Sequence, residues 1–152
     1  MAIMRKAIGE KTIKLDASGL IYLTKAGHLD LVEDLYKEVI ITDAVYQEAV
    51  IQGKAGGYPD ALVIERAIAE GRIQVKQLSP VANKRLDEAR FPERLGMGEQ
   101  ETIVEALEQK CLAVLDDLRA RAAAAVLDVT LCRTDTVLVE GLLKRRIELN
   151  TF

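Results

Sequence analysis

Four acidic signatures lie far apart in the chain, each where an apolar run gives way to a helical pattern. They are Asp16 in KLDAS, Glu48 in TDAVYQEAV, Glu99 in GMGEQE and the pair Asp116–Asp117 in AVLDDLRAR. Carboxylates this scattered meet only if the fold gathers their segments at one edge of a sheet. Gathered, they form a set of hard oxygen donors suited to Mg²⁺ or Mn²⁺. Ionised carboxylates a few ångströms apart repel one another, so such a site has raised pKa values until a cation arrives. Mg²⁺ takes one or two carboxylates directly, keeps several waters and accepts phosphate oxygens. It also activates a water and stabilises charge on a phosphodiester transition state. One ion, or two about 3.5–4 Å apart, would both satisfy these donors.

The elements that must position the acids follow from the pattern. TIKL before Asp16, EVIIT (38–42), CLAVLD (111–116) and VTLCRT (129–134) read as short buried strands. RIQVKQL (72–78) alternates like a half-exposed edge strand. Helices are expected over 18–26, stopped by Gly27, and over 28–36. Another follows Thr42 or Asp43 as cap and carries Glu48 on its second turn. Further helices are expected over 61–70, around 81–89 and from Gly98 to Gln109. An Ala-rich helix runs from its cap Asp117 to Leu127, and a last one from Thr134 or Asp135 through Arg146. GKAGGYPD (53–60), with three glycines and a proline, reads as a mobile loop over the cleft.

Strands alternating with helices imply right-handed crossovers and a mostly parallel sheet covered on both faces. The fold expected is α/β, a three-layer α/β/α sandwich of Rossmann-like kind, with residues 1–152 forming a single domain. In such sheets ligands bind beyond the carboxyl ends of the strands, near the topological switch point. All four acidic signatures map to that edge.

Composition narrows the alternatives. The net charge of −3, from 24 acidic and 21 basic residues, gives no global pull toward a polyanion. Four tyrosines, two phenylalanines and no tryptophan argue against extended aromatic platforms for single strands. His28 is the only histidine, which disfavours Ser-His or Cys-His catalysis. Cys111 and Cys132 sit in apolar runs without a CxxC partner, so they read as reduced core residues rather than zinc ligands. GxxxxGK[ST] and GxGxxG are absent. No apolar run approaches the roughly 18 residues of a membrane span, and the chain is expected to be soluble and cytoplasmic.

These motifs together resemble the PIN-domain family, the nuclease fold that includes the toxins of VapBC-type toxin–antitoxin pairs. The matching pieces are KLDASGLIYLTKAGHLDLV, ITDAVYQEAV, LGMGEQETI, CLAVLDDLRARAAA and VTLCRTDTVLVEGLLKR, spanning Ile13 to Arg146. The resemblance implies a Mg²⁺- or Mn²⁺-dependent endoribonuclease, often a homodimer and often held by an antitoxin protein. It implies that Asp16, with Ser18 two positions on, is the first acid and Glu48 the second. The third falls on Glu99 or Glu101, and the fourth on Asp117 with Asp116 adjacent. Thr134 matches the small hydroxyl residue after the last strand, and Arg119 is a candidate phosphate contact. Leu115 stands where the family pattern has a Thr or Ser. A PIN-like binding protein with little or no catalysis is the alternative. A haloacid-dehalogenase-type phosphohydrolase would need DxD after the first strand, and this chain has Asp16-Ala17-Ser18.

Overall fold

The computed structural model describes residues 12–144. Five strands form one parallel sheet: β1 (Thr12–Leu15), β2 (Glu38–Thr42), β3 (Gln74–Lys76), β4 (Leu112–Val114) and β5 (Leu131–Cys132). Their order is β3-β2-β1-β4-β5, so the chain steps outward on one side of β1 and returns to the other. The switch point therefore lies between β1 and β4. Lys14 is in register with Ile40 on one side and Ala113 on the other.

The helices are α1 (Ala17–Lys25), α2 (Leu29–Leu35), a composite α3, α4 (Pro59–Ala69), α5 (Pro80–Glu88), α6 (Met97–Gln109), α7 (Leu118–Val126) and α8 (Thr134–Leu143). Helix α3 runs through Asp43–Tyr46, a π-helical stretch Gln47–Gln52, and Gly53–Ala55. Short polar side chains start several of them. Asp16, Thr42, Ser79 and Asp117 cap α1, α3, α5 and α7, each accepting from a backbone N–H of the first turn.

Alternation along the strands separates two cores. Ile13, Leu15, Val39, Ile41 and Val114 face one layer, which Leu20 and Leu23 of α1 and Leu31 and Val32 of α2 close. Ala113 and Leu115 enter the other layer with Ile103 and Ala106 of α6 and Ala120 and Ala124 of α7. Helices on both faces of a parallel sheet give the expected three layers.

Two details differ from the sequence reading. Residues 53–60 are not a loop. Helix α3 continues to Ala55 and the chain turns at Gly56 and Gly57, the latter at φ +75. Pro59 then opens α4, where its missing N–H costs nothing. Gly53 is tolerated inside the helix because a Cβ there would stand 2.9 Å from Ala61 Cβ. The last strand is only two residues long, because Thr134 already belongs to α8. The expected end of that helix at Arg145 and Arg146 lies outside the described residues.

One residue breaks the apolar pattern of β1. Lys14 is 1% exposed, and its Nζ has no hydrogen-bond partner among the described residues. Alternation turns it to the face of α6, where Glu105 is equally buried and has one unpartnered oxygen, Oε2. Burial pushes the Lys14 pKa down, against the pull of the Cys111 thiol and the Glu105 carboxylate. The two share no hydrogen bond or ion pair among the described residues and couple through the field alone, so removing one leaves the other buried charge without that compensation, whereas removing both leaves no buried charge of the two. Urea denaturation of Lys14→Met, Glu105→Leu and the double variant measures this. Each single variant should be less stable than the parent and the double should recover; additive losses would contradict the coupling.

Candidate metal centre

Asp16 leaves the end of β1 in extended conformation and caps α1. Its Oδ1 accepts from the Gly19 N–H at 2.9 Å, and the Ser18 hydroxyl donates to Oδ2 at 3.1 Å. Only 1% of the residue is exposed. Gly19 makes this possible: a Cβ there would stand 3.0 Å from Asp16 Oδ1 and 3.1 Å from Thr134 Oγ1. Thr134 in turn donates to Asp116, through its N–H to Oδ1 at 2.8 Å and through its hydroxyl to Oδ2. The carboxyl ends of β1 and β4 and the start of α8 thus meet around one glycine. The hydroxyl that the family pattern puts at position 115 is supplied to Asp116 from the neighbouring strand's end instead.

Glu48 enters from the π-helical stretch of α3. Its Oε1 accepts from the Gly98 N–H at 3.1 Å, at the N-terminus of α6 where a carboxylate is favoured. A Cβ on Gly98 would lie 2.7 Å from that oxygen, so only glycine admits Glu48 this closely. Glu99 follows directly and is half-buried. Glu101 is about 200° further around the helix. Its Oε1 accepts from Ala44 N at 3.0 Å, so Glu101 secures the first turn of α3 rather than joining the other acids.

The pair after β4 divides its work. Asp116 is half-buried and bound to Thr134, while Asp117 is exposed and caps α7 by accepting from Arg119 N and Ala120 N, both at 3.0 Å. Arg119 is exposed and borders an apolar groove with Phe91 and Val126. Arg121 donates to the Leu115 carbonyl at 3.1 Å and so holds the end of the strand.

The acids share one electrostatic field. Burial pushes the Asp16 carboxyl up to about 6; its hydrogen bonds from Gly19 and Ser18 oppose this, and Asp116 and Glu48 add to it. Burial also pushes Glu99 up to about 7, followed by the charges of Asp117, Asp16 and Glu48. Two carboxyls held above their ordinary range by burial and by neighbouring acids mark a candidate functional site. Among the described residues no three acids are drawn into a closed ligand set. The array nonetheless fits Mg²⁺ or Mn²⁺, because the donors are all carboxylate oxygens and Mg²⁺ needs only one or two of them beside its waters.

Because the folded-state pKa of Asp16 is raised, the fold favours its protonated form. Its contribution is fully present below about pH 4 and is lost as pH rises through about 6. In the absence of divalent cations, Asp16→Asn should therefore be more stable than the parent at pH 7.5, by on the order of 2–3 kcal/mol, with the gap closing below pH 4. Asn caps α1 equally well, so thermal melts across this range isolate the charge. A second contrast separates the two glutamates. Glu99→Gln should weaken Mn²⁺ binding about 10-fold or more in calorimetry. Glu101→Gln should leave it unchanged and cost only about 1 kcal/mol of stability.

With this geometry in view, comparisons with known proteins agree on the fold. A family model described as a PIN domain (DUF3368) matches residues 12–151. The solved structure of PAE2754 from Pyrobaculum aerophilum aligns with a TM-score of 0.57 at 18% identity, covering 86% of this chain and 96% of that one. A PilT N-terminus domain protein, SSO1118 from Sulfolobus solfataricus P2, aligns with a TM-score of 0.52 at 19% identity, covering 86% and 93%. At such identities the two likenesses speak for fold alone. No curated protein matches the chain. No helix among the described residues is long and apolar enough to cross a membrane. PIN domains are generally nucleases and typically use divalent metals. The family model covers nearly the whole length, and the chain belongs to the PIN-domain family.

Proposed function

We propose that the protein is a divalent-metal-dependent endoribonuclease that hydrolyses RNA phosphodiester bonds at the carboxyl edge of its sheet. The observation that supports this most is the gathering of Asp16, Glu48, Glu99, Asp116 and Asp117 at one sheet edge, where burial first and the neighbouring carboxylates second hold Asp16 and Glu99 above their ordinary range. Asp16, Glu48, Glu99 and Asp116, with Asp117 at the rim, would hold Mg²⁺ or Mn²⁺. Bound there, the cation would supply an activated water and stabilise charge on the phosphate oxygens. The chain's residues orient the reaction. Gly19 and Ser18 fix the rotamer of Asp16, Thr134 fixes Asp116, and Gly98 fixes Glu48. RNA as the substrate, a homodimer, a cytoplasmic location and an antitoxin partner rest on the resemblance to VapC-type toxins.

One observation favours a second reading, a PIN fold that binds without cutting. The acids are each engaged by protein donors or set apart, with no closed ligand set among the described residues. The two readings part on one experiment. Purified protein is incubated with defined RNAs, with and without Mg²⁺ or Mn²⁺. The parent should cleave only with the cation, and Asp16→Asn should lose at least about 100-fold of the rate while remaining folded. Equal cleavage by both proteins would reject the nuclease site. No cleavage by the parent, together with no Mn²⁺ binding at millimolar concentrations, would favour the binding protein.

A further inference from the structure

We propose that the cleft beside Glu48 is a base-binding subsite that seats one nucleobase of the RNA next to the bond being cut. The proposal rests on the nuclease reading above and names what that reading leaves open, the means by which the substrate is held and selected.

Glu48 belongs to both places. It accepts from Gly98 within the acidic site and also borders a cleft of about 400 Å³, with Ile21, Lys25, Gln52, Tyr58 and Asp60 around it. That volume falls within the ~300–1,000 Å³ usual for small-molecule sites. The cleft is hollow because its floor is built from small residues. Ala49 and Ala61 are buried there, and Gly53 packs so closely on Ala61 that it admits no side chain.

Two features go beyond an incidental hollow. The first is the π-helical stretch Gln47–Gln52, a rare conformation that recurs at functional sites. It presents Glu48 and Gln52 to the same cleft. The second is Tyr58, which is 60% exposed on the rim. Its ring is already seated: a Cβ on Gly56 would stand 2.7 Å from Tyr58 Cε2 and 3.0 Å from Cδ2. Glycine at 56 leaves room for the ring, and Gly57 at φ +75 makes the turn that brings it there.

The polar groups define the ligand. Gln52 offers an amide donor and an acceptor, Asp60 an acceptor, and Lys25 a cation 3.9 Å from Asp60 Oδ2. An apolar floor, one exposed aromatic face, mixed donors and acceptors at the edge and a lysine at the rim suit a flat heteroaromatic ring on an anionic backbone. A nucleobase of RNA is that ligand, with Tyr58 stacking on the base, Gln52 reading its edge and Lys25 near the adjoining phosphate.

The test uses fluorescein-labelled single-stranded oligoribonucleotides, with binding followed by anisotropy in Mg²⁺ on an Asp16→Asn background. Cleavage positions on a randomised RNA pool are mapped in parallel with Asp16 intact. Tyr58→Ala should weaken binding about 5- to 100-fold, while Tyr58→Phe stays within about 3-fold of the parent. Gln52→Ala should change the base preferred beside the cut bond, with Mn²⁺ affinity unaltered. Tyr58 is exposed, so a thermal melt suffices to show that its variants remain folded. If Tyr58→Ala binds RNA and cuts it at the same positions as the parent, the subsite is wrong and the nuclease reading stands. If the parent cuts no RNA but binding still depends on Tyr58, the nuclease reading falls and the subsite stands. RNA binding absent from the parent overturns the subsite outright.

Discussion

The carboxylate of Asp16 sits almost without solvent at the end of the central strand, beside other acids, and the carboxyl edge of the sheet is organised around that unfavourable placement. Neutral donors soften it without cancelling it. Gly19 and Ser18 reach Asp16, Gly98 reaches Glu48, Thr134 reaches Asp116, and the first turn of α7 reaches Asp117. Each hydrogen bond fixes an orientation and removes a little repulsion, but none brings a full positive charge. Burial, with the charges of the neighbouring acids, leaves Asp16 and Glu99 with raised pKa values. A divalent cation bound beside one or two of these carboxylates would offset that cost. A buried carboxylate with a raised pKa costs the fold stability when it ionises, and that cost marks Asp16 as a residue kept for something other than stability.

Glycine is the second constraint. Gly19 lets α1 lie against Asp16 and Thr134, and Gly98 lets Glu48 touch the N-terminus of α6. A side chain at position 98 would force Glu48 to shift, and one at position 19 would crowd Asp16 and Thr134 by a few tenths of an ångström. The same economy of volume continues into the neighbouring cleft, where Ala49, Gly53 and Ala61 keep the floor low. The acidic site and the cleft are therefore two ends of one surface, joined by Glu48 on its π-helical turn.

Much of this was legible in the sequence, for physical reasons. EVIIT reads as a strand because a short β-branched apolar run has few other stable states, and it spans Glu38–Thr42 as expected. The caps Thr42 and Asp117 announce their helices because local side chain to backbone bonds depend on few neighbours, whereas the capping by Asp16 of a helix that starts at Ala17 is not read from the sequence. What stayed hidden depends on contacts remote in sequence. Nothing near Glu101 reveals that it bonds Ala44, 57 residues away. Thr134 reads both as a cap and, through the resemblance, as the small hydroxyl residue of the site, but that its partner is Asp116 is visible only once β4 and β5 are paired. Residues 53–60 read as a loop because glycine and proline normally break helices, and only the packing of Gly53 on Ala61 explains why α3 survives there. Nothing in TIKL marks Lys14 as buried, since its burial follows from the placement of α6 over the sheet.

The central claim is that these carboxylates form one cation site, in which burial and neighbouring acids raise the pKa values of Asp16 and Glu99. Isothermal titration of the parent with Mn²⁺ near pH 6.5, repeated in buffers of different ionisation enthalpy, tests it most directly. Binding should release protons, about one per cation, as Asp16 and Glu99 ionise, and the release should vanish by pH 9. Binding without proton release at pH 6.5, or no binding at all, would contradict the account.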